Sequence, residues 1–259
     1  MRIVNRRPAQ TADASAARGT AFKELRRLLL FATVLAVVLY AAIGWIVDVV
    51  VPRISFETES RLFGRLSAAR LGAAPDERLA RVQKILDRLA PDSLVPPLPY
   101  RLVLIQKSEP NAFAFPGGTI GVTSGLLAAL EDEIEVAFVI GHELGHFHGR
   151  DHLRGLGRAV GVGVVYAVLF GGEMGGDQLG PVLQLVLDRG YSRAQEARAD
   201  RFGVRLVHRS YGRTDGIDRL FRILRERKEL PGWAYMFATH PSPGDRIRAL
   251  ESYARTVNE

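Results

Sequence analysis

The sequence contains no cysteine. That excludes disulfide bonds, a thiol nucleophile, a lipid-modified cysteine and every cysteine-based metal site, so any metal has to be held by His, Asp or Glu. Cysteine-free chains suit reducing and oxidising compartments alike, so the absence says little about location. No internal repeat or low-complexity segment stands out either. A broad basic surface is missing too, despite a formal net charge of +7: residues 1–27 hold Arg2, Arg6, Arg7, Arg18, Lys23, Arg26 and Arg27 against Asp13 and Glu24, and supply +5 of that charge. The remainder is nearly balanced, which argues against a nucleic-acid partner.

What is present is enough for a folded body. The 259 residues are 47% hydrophobic, sufficient for one large or two small cores. From Leu28 to Val47 the run LLLFATVLAVVLYAAIGWIV is uncharged for 20 residues, which as a helix at about 1.5 Å per residue covers the hydrocarbon core of a bilayer. The run is longer than the apolar region of a signal peptide, ends in Trp45 and Asp48, and lacks a small-residue cleavage site, so an uncleaved single-pass anchor over 28–51 is expected. Arg18, Lys23, Arg26 and Arg27 precede the span and only Arg53 and Arg61 follow it closely. The positive-inside rule then puts the 1–27 tail in the cytoplasm and the rest outside the inner membrane.

Beyond the anchor, residues 52–98 read as a helical linker into a domain over 99–259. Within the linker, Pro75 to Ala90 has Leu79, Val82, Ile85, Leu86 and Leu89 at helical spacing. The β-branched and aromatic content of Tyr100–Gln106 reads as a strand, and FPGGTIGVT as a turn followed by a second strand. A helix is expected from Glu131, with Glu131, Asp132 and Glu133 complementing its dipole. A second apolar run, Ala159 to Phe170, is too short to span a bilayer and reads as a core helix or as an interfacial or re-entrant one.

The helix from Glu131 carries the chemistry. In His142-Glu143-Leu144-Gly145-His146 the two histidines stand i and i+4, on one helical face, where two imidazoles can share one metal ion. Glu143 is directed to the side where a metal-bound water would lie and can take its proton as the water attacks a carbonyl. Such a site needs a third protein ligand and an open position. In YSRAQEARADRFG, Glu196 and Asp200 are also i and i+4. Glu196 can reach the metal, and Asp200 can accept a hydrogen bond from a ligand histidine. Taken alone, the same segment also reads as a surface helix of Arg and acidic pairs.

Four ordered motifs, NAFAFPGG (Asn111 to Gly118), GHELGH (Gly141 to His146), EARAD (Glu196 to Asp200) and HPSPGDRI (His240 to Ile247), span about Arg101 to Leu250. In these the chain resembles the HtpX-like and CAAX-prenyl-protease-type (Ste-type) integral-membrane zinc metallopeptidases, which belong with the gluzincins. The resemblance implies an α+β fold, mostly helices, with a small antiparallel sheet beside the metal helix. It implies one Zn2+ per chain held by His142, His146 and Glu196, Glu143 as catalytic base, and Asp200 as the partner of a ligand histidine. A polypeptide substrate would lie along the edge strand at Asn111, Ala112, Phe113 and Ala114. His240 would line the site, either donating to the oxyanion or approaching the zinc as a fourth ligand. Arg246 matches the family's arginine and suits a salt bridge as well as a substrate contact. Zinc would lower the pKa of its bound water to about 7, and clearance of misfolded membrane or envelope proteins is the implied role.

The chain departs from the family pattern where Asp151 intervenes before His152, so His152 is expected at the surface. His148 and His208 are expected to be structural. Many HtpX-type relatives have further membrane spans, whereas this chain has one clear apolar run. Competing readings are a polypeptide-binding chaperone or adaptor that does not cut, and a metal-dependent hydrolase of a non-peptide bond.

Overall fold

The structure is a computed structural model and describes residues 13–71, 77–130, 132–170, 190–217 and 244–258. The chain divides into two compact units, Met1–Ile46 and Val47–Glu259. The first is dominated by α1 (Asp13–Val50), which a 3-10 turn at Val51–Arg53 follows. The stretch Phe22–Arg53 is long and apolar enough to cross a membrane. Leu28, Leu30, Phe31 and Val37 are all exposed, so this stretch is not a core helix.

The second unit begins with α2 (Phe56–Leu71), which no pattern in the sequence marks, and α3 (Glu77–Leu89), which lies within the helix expected over Pro75 to Ala90. In α3 the spacing of Val82, Ile85, Leu86 and Leu89 puts all four on one buried face. Three strands follow: β1 (Arg101–Ile105), β2 (Ala112–Phe115) and β3 (Thr119–Thr123). The sheet is mixed, not wholly antiparallel: its order is β1-β3-β2, with β3 antiparallel to β2 and parallel to β1. The reason lies in the connections. Pro116-Gly117-Gly118 makes a tight hairpin between β2 and β3, with Gly117 and Gly118 at φ 84° and 83°. The longer β1–β2 link lets the hairpin fold back so that β3 takes the centre, where all five of its residues are buried.

After the short α4 (Ser124–Ala129) comes the central helix α5 (Glu133–Gly149). It starts two residues later than expected because Asp132 is its N-cap, the carboxylate accepting from the Ile134 and Glu135 amides at 2.8 and 3.3 Å. Arg150 closes it in the left-handed region at φ 53°. The chain turns at once into α6 (Asp151–Phe170), so the apolar run from Ala159 is the second half of a longer helix. Ala159 is buried, residues 160–163, Val165 and Ala167 are partly buried, and Val164, Tyr166 and Val168 are 47%, 62% and 78% exposed, so this half of α6 is only partly covered.

Helix α7 (Arg193–Tyr211) begins with a capping box between Ser192 and Gln195 and ends at Gly212 with φ 69°. It crosses α5 at unusually short range. A Cβ added at Gly145 would stand 2.8 Å from Ala199 Cα, and one added at Gly203 would stand 3.0 Å from the His142 amide nitrogen. Small residues at Gly141 and Gly145 on one helix and at Ala199 and Gly203 on the other let the backbones meet. This close crossing puts Glu196 and Asp200 beside the histidines. The last described helix, α8 (Gly244–Asn258), adds Leu250 and Ala254 to the core.

Candidate metal centre

Each helix contributes donors from the face it presents to the other. His142 and His146 of α5 and Glu196 of α7 are buried, and one donor atom from each lies within 4.8 Å of the others. The two Nε2 atoms are 3.1 Å apart. His146 Nε2 is 3.3 Å from Glu196 Oε1, and His142 Nε2 is 3.6 Å from Glu196 Oε2.

The other ring nitrogen of each histidine is committed to a carboxylate. His142 Nδ1–H donates to Asp200 Oδ1 at 2.9 Å, and His146 Nδ1–H donates to Asp151 Oδ2 at 3.1 Å. That pairing leaves both Nε2 lone pairs directed to the common centre, the tautomer a metal ligand requires. Asp151 is itself held by Gln195 at 2.8 Å and Arg198 at 3.3 Å, both from the first turns of α7. Tyr191, just before α7, stacks on the His146 ring at 3.8 Å between centroids.

Electrostatics agree with a cation at this centre. Burial pushes His142 below its ordinary pKa, and the nearby carboxylates only partly offset it. Burial would lower His146 as well, but hydrogen bonds to Asp151 and Glu196 and the charge of Glu143 outweigh it and push this group up to about 9. A metal ion taking the place of the His146 proton would leave two neutral imidazoles and a carboxylate, a donor set suited to a borderline divalent metal such as zinc. The residues present therefore fit a metal ion, with Glu143 next to them on α5 and only 2% exposed.

Other residues singled out in the sequence fall as follows. Asn111 is buried at the entry to β2, where its side-chain oxygen accepts from the Ala112 amide at 2.9 Å. Ala112, Phe113 and Ala114 are buried too, in a strand that pairs with β3 alone among the described residues. Phe113 and Phe115 face one side, and Ala112 and Ala114 face the core. His148 is near the Leu94 carbonyl at 3.2 Å. His240 lies outside the described residues, and of Arg246 only its place in α8 is described. His152 is not at the surface: it is 1% exposed, with Nε2 donating to Glu59 at 2.8 Å.

The sequence reading overlooked Asp151, Tyr191 and Glu59. For Asp151 the available signal was the break after Gly149-Arg150, which turns the chain back so that the next acidic side chain faces the end of the metal helix. Replacing Asp151 by Ala should weaken metal binding on the order of 10- to 100-fold, as much as Asp200→Ala. Competition against a metal-sensitive dye measures both.

A pair of histidines on α5, a glutamate from α7 and the carboxylates beside them form a group that could hold a metal ion. The model of peptidase family M48 matches residues 76–254, and the chain belongs to that family. No curated protein matches it.

Proposed function

We propose that this chain is a membrane-anchored zinc endopeptidase, with one Zn2+ held by His142, His146 and Glu196. The observation that carries this reading is the convergence of three buried donors within 4.8 Å, with both histidines backed by carboxylates. When bound, the zinc acts as a Lewis acid toward the scissile carbonyl and the attacking water. Glu143 removes the proton from that water and passes it to the leaving amine. Asp200 and Asp151 hold the two imidazoles in orientation. His240 is assigned the oxyanion, where a donated hydrogen bond stabilises the charge that develops.

The substrate is an extended polypeptide added to β2 at Asn111, Ala112, Phe113 and Ala114, bound mainly through its backbone. The apolar stretch Phe22–Arg53 supports a single-pass anchor. The basic flank before it supports a cytoplasmic tail, with the peptidase body on the extracytoplasmic side of the inner membrane. Misfolded membrane or envelope proteins are the substrates we assign.

The test is degradation of casein by the detergent-purified, zinc-loaded full chain. Activity should vanish when a chelator strips the metal and return on adding one equivalent of zinc. Zinc binding without cleavage of casein or of any unfolded membrane protein would instead favour a polypeptide-binding role.

A further inference from the structure

The family match begins at residue 76, yet the segment before it places a carboxylate inside the matched body. Glu59 of α2 is fully buried. Its Oε1 accepts from the Gly117 amide at 3.0 Å and from His152 Nε2 at 2.8 Å, and its Oε2 is 3.4 Å from Arg150 Nη1. These partners belong to the β2–β3 hairpin, the start of α6 and the cap of α5. His152 in turn has Nδ1 3.4 Å from the carbonyl of His146.

Two further contacts of α2 bear on the same partners. The Arg150 guanidinium lies over the Phe56 ring at 4.0 Å. This helps hold a non-glycine residue at φ 53°, a conformation that costs free energy unless its surroundings fix it. At the hairpin, a Cβ on Gly117 would stand 2.8 Å from the Gly64 amide nitrogen, so α2 lies directly on the turn. Burial by itself would raise the Glu59 carboxyl. Hydrogen bonds from His152 and Gly117 and the charges of His152 and Arg150 outweigh it and leave the group below its usual range.

We infer that Glu59 is a positioning residue, fixing the β2 strand that receives substrate at a set distance from the end of the metal helix. The inference rests on the peptidase reading above. It makes α2 a working part of the catalytic body rather than a spacer after the anchor. A buried carboxylate with three partners on three elements suits the task, because moving any one of them breaks a charge-assisted hydrogen bond.

The experiment compares full-length wild type with Glu59→Gln, Glu59→Ala and the control Glu57→Gln, whose side chain is 72% exposed on the same helix. Casein turnover is measured per bound zinc, and amide exchange is followed at Gly117 and Ala112–Phe115. Glu59→Gln should lose on the order of tenfold in kcat/KM, and Glu59→Ala up to about a hundredfold, the scale of an ångström's misplacement. Zinc content should not change, exchange at Gly117 should accelerate, and Glu57→Gln should match wild type.

Unchanged turnover per zinc with faster exchange would overturn the inference, leaving Glu59 a purely structural contact. So would a loss that merely tracks lost zinc or lost folded protein. Should the Ala variant not fold, the Gln variant decides alone. If wild type itself cuts nothing, the peptidase reading fails. Exchange then decides whether Glu59 holds the hairpin, and unchanged protection in Glu59→Gln overturns that as well.

Discussion

Glu143→Gln is expected to bind as much zinc as the wild type and to degrade casein on the order of 10²- to 10⁴-fold more slowly, the range a general acid–base group contributes. Zinc should stay because the donor group consists of His142, His146 and Glu196, without Glu143. Activity should go because glutamine keeps the volume and one acceptor oxygen but has no basicity. Glu143 is one residue beyond the first ligand on α5 and only 2% exposed. It lies close enough to the centre for its charge to help raise His146. The fold should tolerate the change, since it removes a charge from a nearly dry site. Turnover equal to wild type at matched zinc content would exclude Glu143 as the base. Lost zinc would instead make it a ligand.

What could be read from the sequence and what could not divide along a physical line. Periodicity and spacing act within one element, so α3, the strand at Tyr100–Gln106 and the His142/His146 pair were legible from local pattern. Glu196 and Asp200 stood out because a metal on two histidines would need a third ligand and a carboxylate to orient a ring, and their i, i+4 spacing offered both from one helix. The structure brings all four side chains together at the α5–α7 crossing. The parallel pairing of β1 with β3 depends on how a hairpin folds back over a longer link, which no periodicity within either strand encodes.

His152 was misplaced for a related reason. Its burial depends on Glu59, 93 residues earlier in the chain, and nothing local marks a histidine whose partner is so remote. Asp151 looked like an insertion in the family pattern, yet it is the carboxylate that orients His146. The charged pattern Arg193, Glu196, Arg198 and Asp200 also fitted a solvated face. Only three-dimensional contact shows that Glu196 and Asp200 point inward while Arg198 reaches across to Asp151.

Gly145→Val is expected to weaken zinc binding more than any change to the carboxylates behind the histidines, without altering His142, His146 or Glu196. A Cβ at this position would stand 2.8 Å from Ala199 Cα and 3.0 Å from the Ala199 carbonyl oxygen. Both are backbone atoms of α7, which cannot rotate out of the way as a side-chain tip can. Valine adds two methyl groups to that clash, so α7 has to move off α5. Ala199 lies between Glu196 and Asp200 in sequence, and the shift therefore carries off the proposed ligand Glu196 and the partner of His142 together. Overpacking of this kind costs roughly 1–3 kcal/mol of stability. The loss of zinc affinity should be larger than for Asp151→Ala or Asp200→Ala, because a ligand and its neighbour's support go at once. Gly145→Ala should show the same signs at smaller size. Thermal unfolding of the metal-free protein reads the packing cost, and zinc titration reads the displaced donors. Wild-type zinc affinity in Gly145→Val would mean that the donors can converge without this close helix crossing, and the glycines of α5 would then need a different explanation.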